Sequence, residues 1–206
     1  VPDNKEPIIT IAKDKEQPAT MIYLWHKHPA TPNEAKGNLG YMVQGYMFHM
    51  ISSMMHARLE ELRQGANPPF IQAASGNNDF LLAKTTEAFV GMAMSKDDGI
   101  PTALAAIVRE IERARKFGFT ASEYSRAKAD YLRGLESAYN ERDKMKNNEY
   151  VQEYVRHFID NEPIPGIETE YALMNQLAPN IPVEAINMIL PQLIKDENIV
   201  INIFGP

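Results

Sequence analysis

The chain has five histidines, His26, His28, His49, His56 and His157, and these are the residues whose chemistry suits a metal best. A zinc hydrolase needs two imidazoles one helical turn apart and a carboxylate to take a proton from the metal-bound water. Neither His-Glu-x-x-His nor the inverted His-x-x-Glu-His occurs. His26 and His28 fall in a stretch that reads as a strand, where alternate residues share a face, so they could form a two-ligand arrangement. No neighbouring Asp or Glu supplies a third ligand, and polar residues at a strand end are the favoured reading. His49 and His56 lie seven residues apart on one helix, two turns from each other and too far for one ion. They read as core-edge or surface residues, and His157 as a partly buried packing residue.

Nucleophile motifs fare no better. Ser125-Arg-Ala-Lys128 matches the Ser-x-x-Lys of serine acyl enzymes, but its companion motifs are missing and it falls inside an amphipathic helix. There is no Gly-x-Ser-x-Gly elbow, P-loop or Gly-x-Gly-x-x-Gly turn. With no cysteine, thiol catalysis, disulfides and Cys-zinc sites are excluded. Glu60-Glu61 and Asp97-Asp98 read as solvated charge, and the run Met42, Met47, Met50, Met54, Met55 as core. Tyr139-Asn-Glu-Arg-Asp-Lys144 reads as a structural ion-pair network where two helices meet. Catalytic residue types are present, but no catalytic set is assembled.

The elements that hold these residues begin with two strands, Ile8–Ala12 and Thr20–His28, rich in β-branched and aromatic residues, with a turn at Asp14–Pro18. Pro29 and Pro32 stop the second. Apolar residues at helical spacing predict a helix over Asn33–Gln64, closed by Gly65. Ile71–Gly76 and Phe80–Ser95 predict an antiparallel hairpin turning at Gly76-Asn-Asn-Asp79. A helix from Pro101 to Phe117 ends at Gly118, and Thr120-Ala-Ser-Glu123 is a capping box for the next, which should run to Met145. A further helix is expected over Asn148–Ile159, then a Pro163-Ile-Pro165 break. Helices over Ile167–Leu177 and Pro182–Leu190 follow, the last kinked or ended by Pro191. Ile199–Phe204 closes as a buried strand. This order is that of an α+β fold, a mostly antiparallel sheet with helices on one face.

A length of 206 residues with 44% apolar and 23% charged residues suits one globular domain, 1–206, and no repeat or linker divides it. A net charge of −6 without a basic block argues against nucleic-acid binding. No apolar run reaches the ~18 residues that suggest a membrane span. Opening on Val1-Pro2 and closing on Gly205-Pro206, the chain is expected to be a fragment of something longer.

Propensity does not dictate the wording of Phe119-Thr-Ala-Ser-Glu-Tyr-Ser-Arg-Ala-Lys-Ala-Asp-Tyr-Leu132, Tyr139–Lys144, Tyr154-Val-Arg-His-Phe158 and Glu162-Pro-Ile-Pro-Gly-Ile167. With the opening strands, Ala57–Leu62 and Pro68-Pro-Phe70, it resembles the second, non-catalytic domain of the N-terminal half of M16 (insulinase/pitrilysin-like) zinc metallopeptidases. The resemblance implies the M16/LuxS-type metallohydrolase-like fold and a chamber enclosed by two similar halves. Zinc would sit in another, catalytic domain, with none in this chain. The implied partners are that catalytic domain, the second half of the clamshell and a peptide substrate. The implied location is the periplasm or cell envelope.

In that family the last domain carries Leu-Arg, six residues, then Tyr, which assist the reaction. Here Leu62-Arg63 is followed at that spacing by Phe70, which has no hydroxyl to donate to an oxyanion. Arg63 is accordingly expected to be structural, and no catalytic residue is assigned. The resemblance gives one weaker role to Ile71, Gln72, Ala73, Ala74 and Ser75, a strand edge on which extended peptide could pair. The other reading of the chain is a catalytically inactive scaffold or assembly subunit.

Overall fold

The computed structural model describes residues 1–96, 98–144 and 146–206, with Glu149 as backbone only. Asp97 and Met145, where a charge pair and a helix end were expected, lie outside the described residues. The chain divides into two compact units, one of residues 1–30, 51–119 and 186–206, the other of 31–50 and 120–185.

The first unit holds the sheet. Its strands are β1 (Ile8–Lys13), β2 (Thr20–Pro29), β3 (Gln72–Asp79), β4 (Thr86–Ser95) and β5 (Ile199–Gly205), ordered β1-β5-β2-β4-β3. Only β1 and β5 run parallel, so the sheet is mostly antiparallel, as the α+β reading expects. Alternation along β2 sorts its side chains. Ile22 and Leu24 are buried opposite Ala93 and Gly91 of β4, on the face covered by helix α2 (Ile100–Phe117), whose Ile107 and Ile111 lie over Gly91. Tyr23 and Trp25 stack on the other face at 5.7 Å, with Phe80 edge-on to Trp25 at 5.5 Å. Gly118 ends α2 with φ +68°, and the Asn187 side chain clamps the next residue, accepting from Phe119 N at 2.8 Å and donating to Phe119 O at 3.0 Å.

The second unit is helical. It takes residues 39–50 of α1 (Leu39–Arg63), then α3 (Ala121–Asn140), α4 (Asn147–Asp160) and α5 (Ile167–Leu177). The capping box forms: Thr120 Oγ1 accepts from Glu123 N at 3.3 Å, and the Glu123 carboxylate accepts from Thr120 N at 2.7 Å. Tyr139 of α3 stacks on Tyr171 of α5 at 4.6 Å. Arg142 covers the Tyr139 ring and pairs with Glu168 at 3.2 Å, so this stretch is structural. One face of α4 stays in solvent: Tyr150, Val151, Tyr154, Val155, Phe158 and Ile159 are exposed, Phe158 by 90%. Their spacing draws a continuous apolar stripe.

Five local expectations change. Helix α3 ends at Asn140, ahead of a 3-10 turn at Arg142–Lys144, rather than running to Met145. β1 does not pair with β2 across the Asp14–Pro18 turn, because β5 lies between them. The hairpin turns at Phe80–Thr85 rather than Gly76–Asp79, since Asn77 and Asn78 pair in the ladder with Phe89 and Ala88. Burial of Phe80 against Trp25 and the Phe80 N to Thr86 O bond of 3.0 Å outweigh the turn propensity of Gly-Asn-Asn-Asp. The long helix starts at Leu39, after a short 3-10 turn at Asn33–Ala35, because Asn38 Oδ1 accepts from Tyr41 N at 3.1 Å and caps it there. Helix α6 (Val183–Leu193) contains Pro191 and continues past it, with Ile194 N still bonded to Leu190 O at 2.9 Å.

Candidate functional site

β3 is the last strand of its sheet, paired on one side with β4 and with no strand on the other among the described residues. Ile71 leads into it, its N–H donating to Met94 O at 2.8 Å, and Gln72, Ala73, Ala74 and Ser75 form its first half. Ile71 and Gln72 are exposed, Ala74 and Ser75 half-buried, and Ala73 buried. From Gln72 to Asn78 the strand has no charge and no proline, the two devices that most often keep a sheet edge from pairing. Its side chains here are small, so the approach to the main chain is low-walled. At the opposite edge, β1 presents exposed Ile8, Ile9 and Ile11 instead.

Phe70, which stands where the family tyrosine would, is in the core at 2% exposure. Arg63 is turned to its own helix, its Nε donating to Glu60 at 2.7 Å. Glu60 is held at a pKa of about 2 by hydrogen bonds from Arg63 and then Gln64, which marks a surface ion pair. Arg58 is the structural arginine of this helix, donating to Gly118 O at 2.9 Å and lying over the Phe119 ring.

The histidines do not converge. His26 is buried, its Nδ1 3.0 Å from Lys195 O, and burial pulls its pKa down. His28 is engaged at both nitrogens, 2.7 Å from Asn77 Oδ1 and 3.1 Å from Pro29 O. Asn77 in turn donates to Glu87, completing a polar chain across three strands. His56 is exposed on α1. His157 is exposed rather than partly buried, its Nδ1 donating to Glu162 O at 2.6 Å across the turn that ends α4. Among the described residues no three His, Asp or Glu are placed to hold a metal, so zinc does not fit the described donors. Lys128 of the Ser-x-x-Lys match is spent on Ala178 O and the Tyr124 ring, and Ser125 is exposed. No described helix is long and apolar enough to cross a membrane.

A site absent from the sequence reading lies in the helical unit. A cavity of about 330 Å³ is lined by Tyr41, Tyr46 and His49 of α1, Tyr131 of α3, and Glu153 and Glu170 of α4 and α5. Tyr131 meets Tyr46 edge-on and His49 at a tilt, both at 5.2 Å. It also hydrogen-bonds the Glu170 carboxyl, whose pKa is raised by burial first and then by the nearby Glu153. Of its lining, Tyr131, Arg156 and residues 162–167 fell inside quoted motifs, but nothing in those motifs marked a cavity. Glu153 and Glu170 carry no local signal, because the lining is completed by α1 and α3, distant in sequence from α4 and α5.

No family model matches the chain. In sequence it is similar to a zinc protease PQQL-like protein of Arabidopsis thaliana, 26% identical over 181 residues, covering 88% of this chain and 16% of that protein. Its fold is similar to the periplasmic protease PqqL of Escherichia coli, with a TM-score of 0.83 and 18% identity, over 98% of this chain and 22% of that one. It is also similar to a peptidase M16 inactive domain from Pseudomonas fluorescens, with a TM-score of 0.67 and 13% identity, over 100% of this chain and 44% of that one. The resemblance to M16 peptidases and the α+β fold drawn from the sequence are both borne out. The chain spans less than half the length of each of these relatives.

Proposed function

We propose that this chain is a non-catalytic wall domain of an M16-type zinc peptidase, which lines the substrate chamber and docks the domain that holds the metal. The observation that carries the reading is the free edge of β3, uncharged and small-sided from Ala73 to Gly76, in a fold similar to M16 domains. An extended peptide added along Ile71–Ser75 would bond through main-chain groups, so it would be held whatever its sequence. The wet apolar stripe of α4 supports a partner domain: covering Phe158, 90% exposed, would gain about 1.5–3 kcal/mol, and the other members, which are less exposed, correspondingly less. Zinc belongs to that partner in this reading, and residence in the periplasm is proposed on the likeness to PqqL.

A second reading, an inactive scaffold subunit, has specific support in the likeness to an M16 inactive domain. Zinc analysis with peptidase assays on this chain alone, and on the longer protein that carries it, separates the two. Zinc and cleavage in the longer protein alone support the wall domain. Stoichiometric zinc and cleavage by this chain overturn both readings, and inactivity of both proteins favours the scaffold.

A further inference from the structure

The cavity of the helical unit has walls of a particular kind. The rings of Tyr41, Tyr46 and Tyr131 give it an aromatic lining, and the carboxylates of Glu153 and Glu170 approach from two different helices. Its volume, about 330 Å³, is at the small end for ligand sites and suits a side chain or a compact metabolite.

Charge decides what could enter. Arg156 also lines the cavity, but its Nε is paired with Glu162 at 3.2 Å, so this cation is answered within its own segment. His49 has its pKa lowered by partial burial and is neutral at pH 7. Among the described residues no cation is paired with Glu153 or Glu170, and Glu153 raises the cost of ionising Glu170. An anion would meet two carboxylates. A bare metal ion would lack a third ligand. A flat or tetrahedral organic cation would meet opposite charge at one end and aromatic faces along its stem, the two features that attract such groups.

We propose that this cavity binds an organic cation of the size of an arginine or lysine side chain, with its charge between Glu153 and Glu170 and its stem along the tyrosine rings. The site is built wholly from the helical unit and stands without the peptide-edge reading. Binding favours the ionised form of Glu170, so affinity rises with pH as this carboxyl titrates. The groups facing it are Glu153 and Arg156 on α4, Glu162 in the following connection, Tyr131 on α3 and His49 on α1. Protonation of His49 at low pH acts in the same direction, by adding repulsion.

The test is calorimetric titration of the whole chain with three probes: Nα-acetyl-arginine methylamide, agmatine, and the neutral isostere Nα-acetyl-citrulline methylamide. Saturable binding of the arginine probe with loss of about tenfold or more for citrulline is expected, a difference of about 1.4 kcal/mol. Glu153→Gln and Glu170→Gln should each weaken it several-fold, and wild-type affinity should be higher at pH 8 than at pH 5. Binding of both cations identifies a side-chain or free-amine site in common; binding of agmatine alone assigns it to a free amine. Equal binding of citrulline, no saturation at millimolar probe, or indifference to both substitutions overturns the proposal. The pH comparison on wild-type protein keeps the test decisive should either variant fail to fold.

Discussion

Tyr124 donates its hydroxyl proton to Ile181 O at 2.8 Å, so the Tyr46 hydroxyl, 3.0 Å away, must be the donor to Tyr124. Burial first, and then this donation, push the Tyr46 pKa up. The two phenols are therefore unequal. Tyr46→Phe removes one donor and should cost about 1 kcal/mol. Tyr124→Phe strands the Tyr46 hydroxyl and the Ile181 carbonyl together and should cost about 2–3 kcal/mol. Urea unfolding of both variants checks the order, and equal costs would remove the assigned direction.

Two glycines should respond oppositely to alanine. A Cβ on Gly91 would come within 2.5 Å of Ile107 Cγ2 and 2.7 Å of Ile111 Cδ1, both in a closed core. Gly91→Ala is expected to lose about 1–3 kcal/mol through overpacking. Gly134, inside α3, has nothing within 4 Å, and Gly134→Ala should gain up to about 1 kcal/mol. Thermal unfolding of the pair reads both signs.

Glu170 gives a pH dependence whose sign is opposite to that of a salt-bridged acid. Its folded pKa is raised, so the native state favours the protonated form. Its contribution is most favourable below the unfolded carboxyl pKa and is lost as pH rises through the folded one. Glu170→Gln, which keeps an acceptor for Tyr131, should therefore stabilise the chain relative to wild type more at pH 8 than at pH 4. Denaturant midpoints at the two pH values decide this; a gap that shrinks with pH contradicts it.

At the sheet edge, Gln72→Lys places a charge beside the main chain on an exposed position. Stability should change by no more than about 0.5 kcal/mol. Hydrogen exchange of the β3 amides, slowed by an added extended peptide in wild type, should be slowed much less in the variant. Identical protection in both would count against pairing at this edge.

On α4, Phe158→Asp alters a side chain that is 90% exposed. The melting temperature of this chain should hardly move. Association with a metal-bearing partner domain, followed by sedimentation, should weaken, whereas a loss of folding instead would mean the stripe serves this chain's own stability.

Signals that act over a few residues were readable in the sequence. The Thr120–Glu123 box, the Gly118 stop, the Pro163–Pro165 break and the strands β2 and β5 all appear where their local chemistry puts them. What depended on distant partners was not. The place of β5 between β1 and β2 is set by which edges the whole fold leaves open, and the hairpin turn moved because Phe80 had a tryptophan to pack against. The cavity escaped because Glu153 and Glu170 look like ordinary helix-surface charges until α1 and α3 supply tyrosines beside them. The β3 edge was found by family likeness, with no local signal of its own beyond an absence of charge.

The insertion of β5 also sets an order of events. Asn202 of β5 bonds Thr10 of β1 across 192 residues of sequence, and β2 gains its second neighbour only from the same strand. Until β5 has left the ribosome, β2 must wait with one ladder edge open and the isoleucines of β1 have no neighbour at all. Such long-range pairing is slow to form, because chain closure is opposed by entropy before the ladder can reward it. The β2-β4-β3 part of the sheet can therefore form first, and the β1-β5-β2 part is completed only once β5 is available.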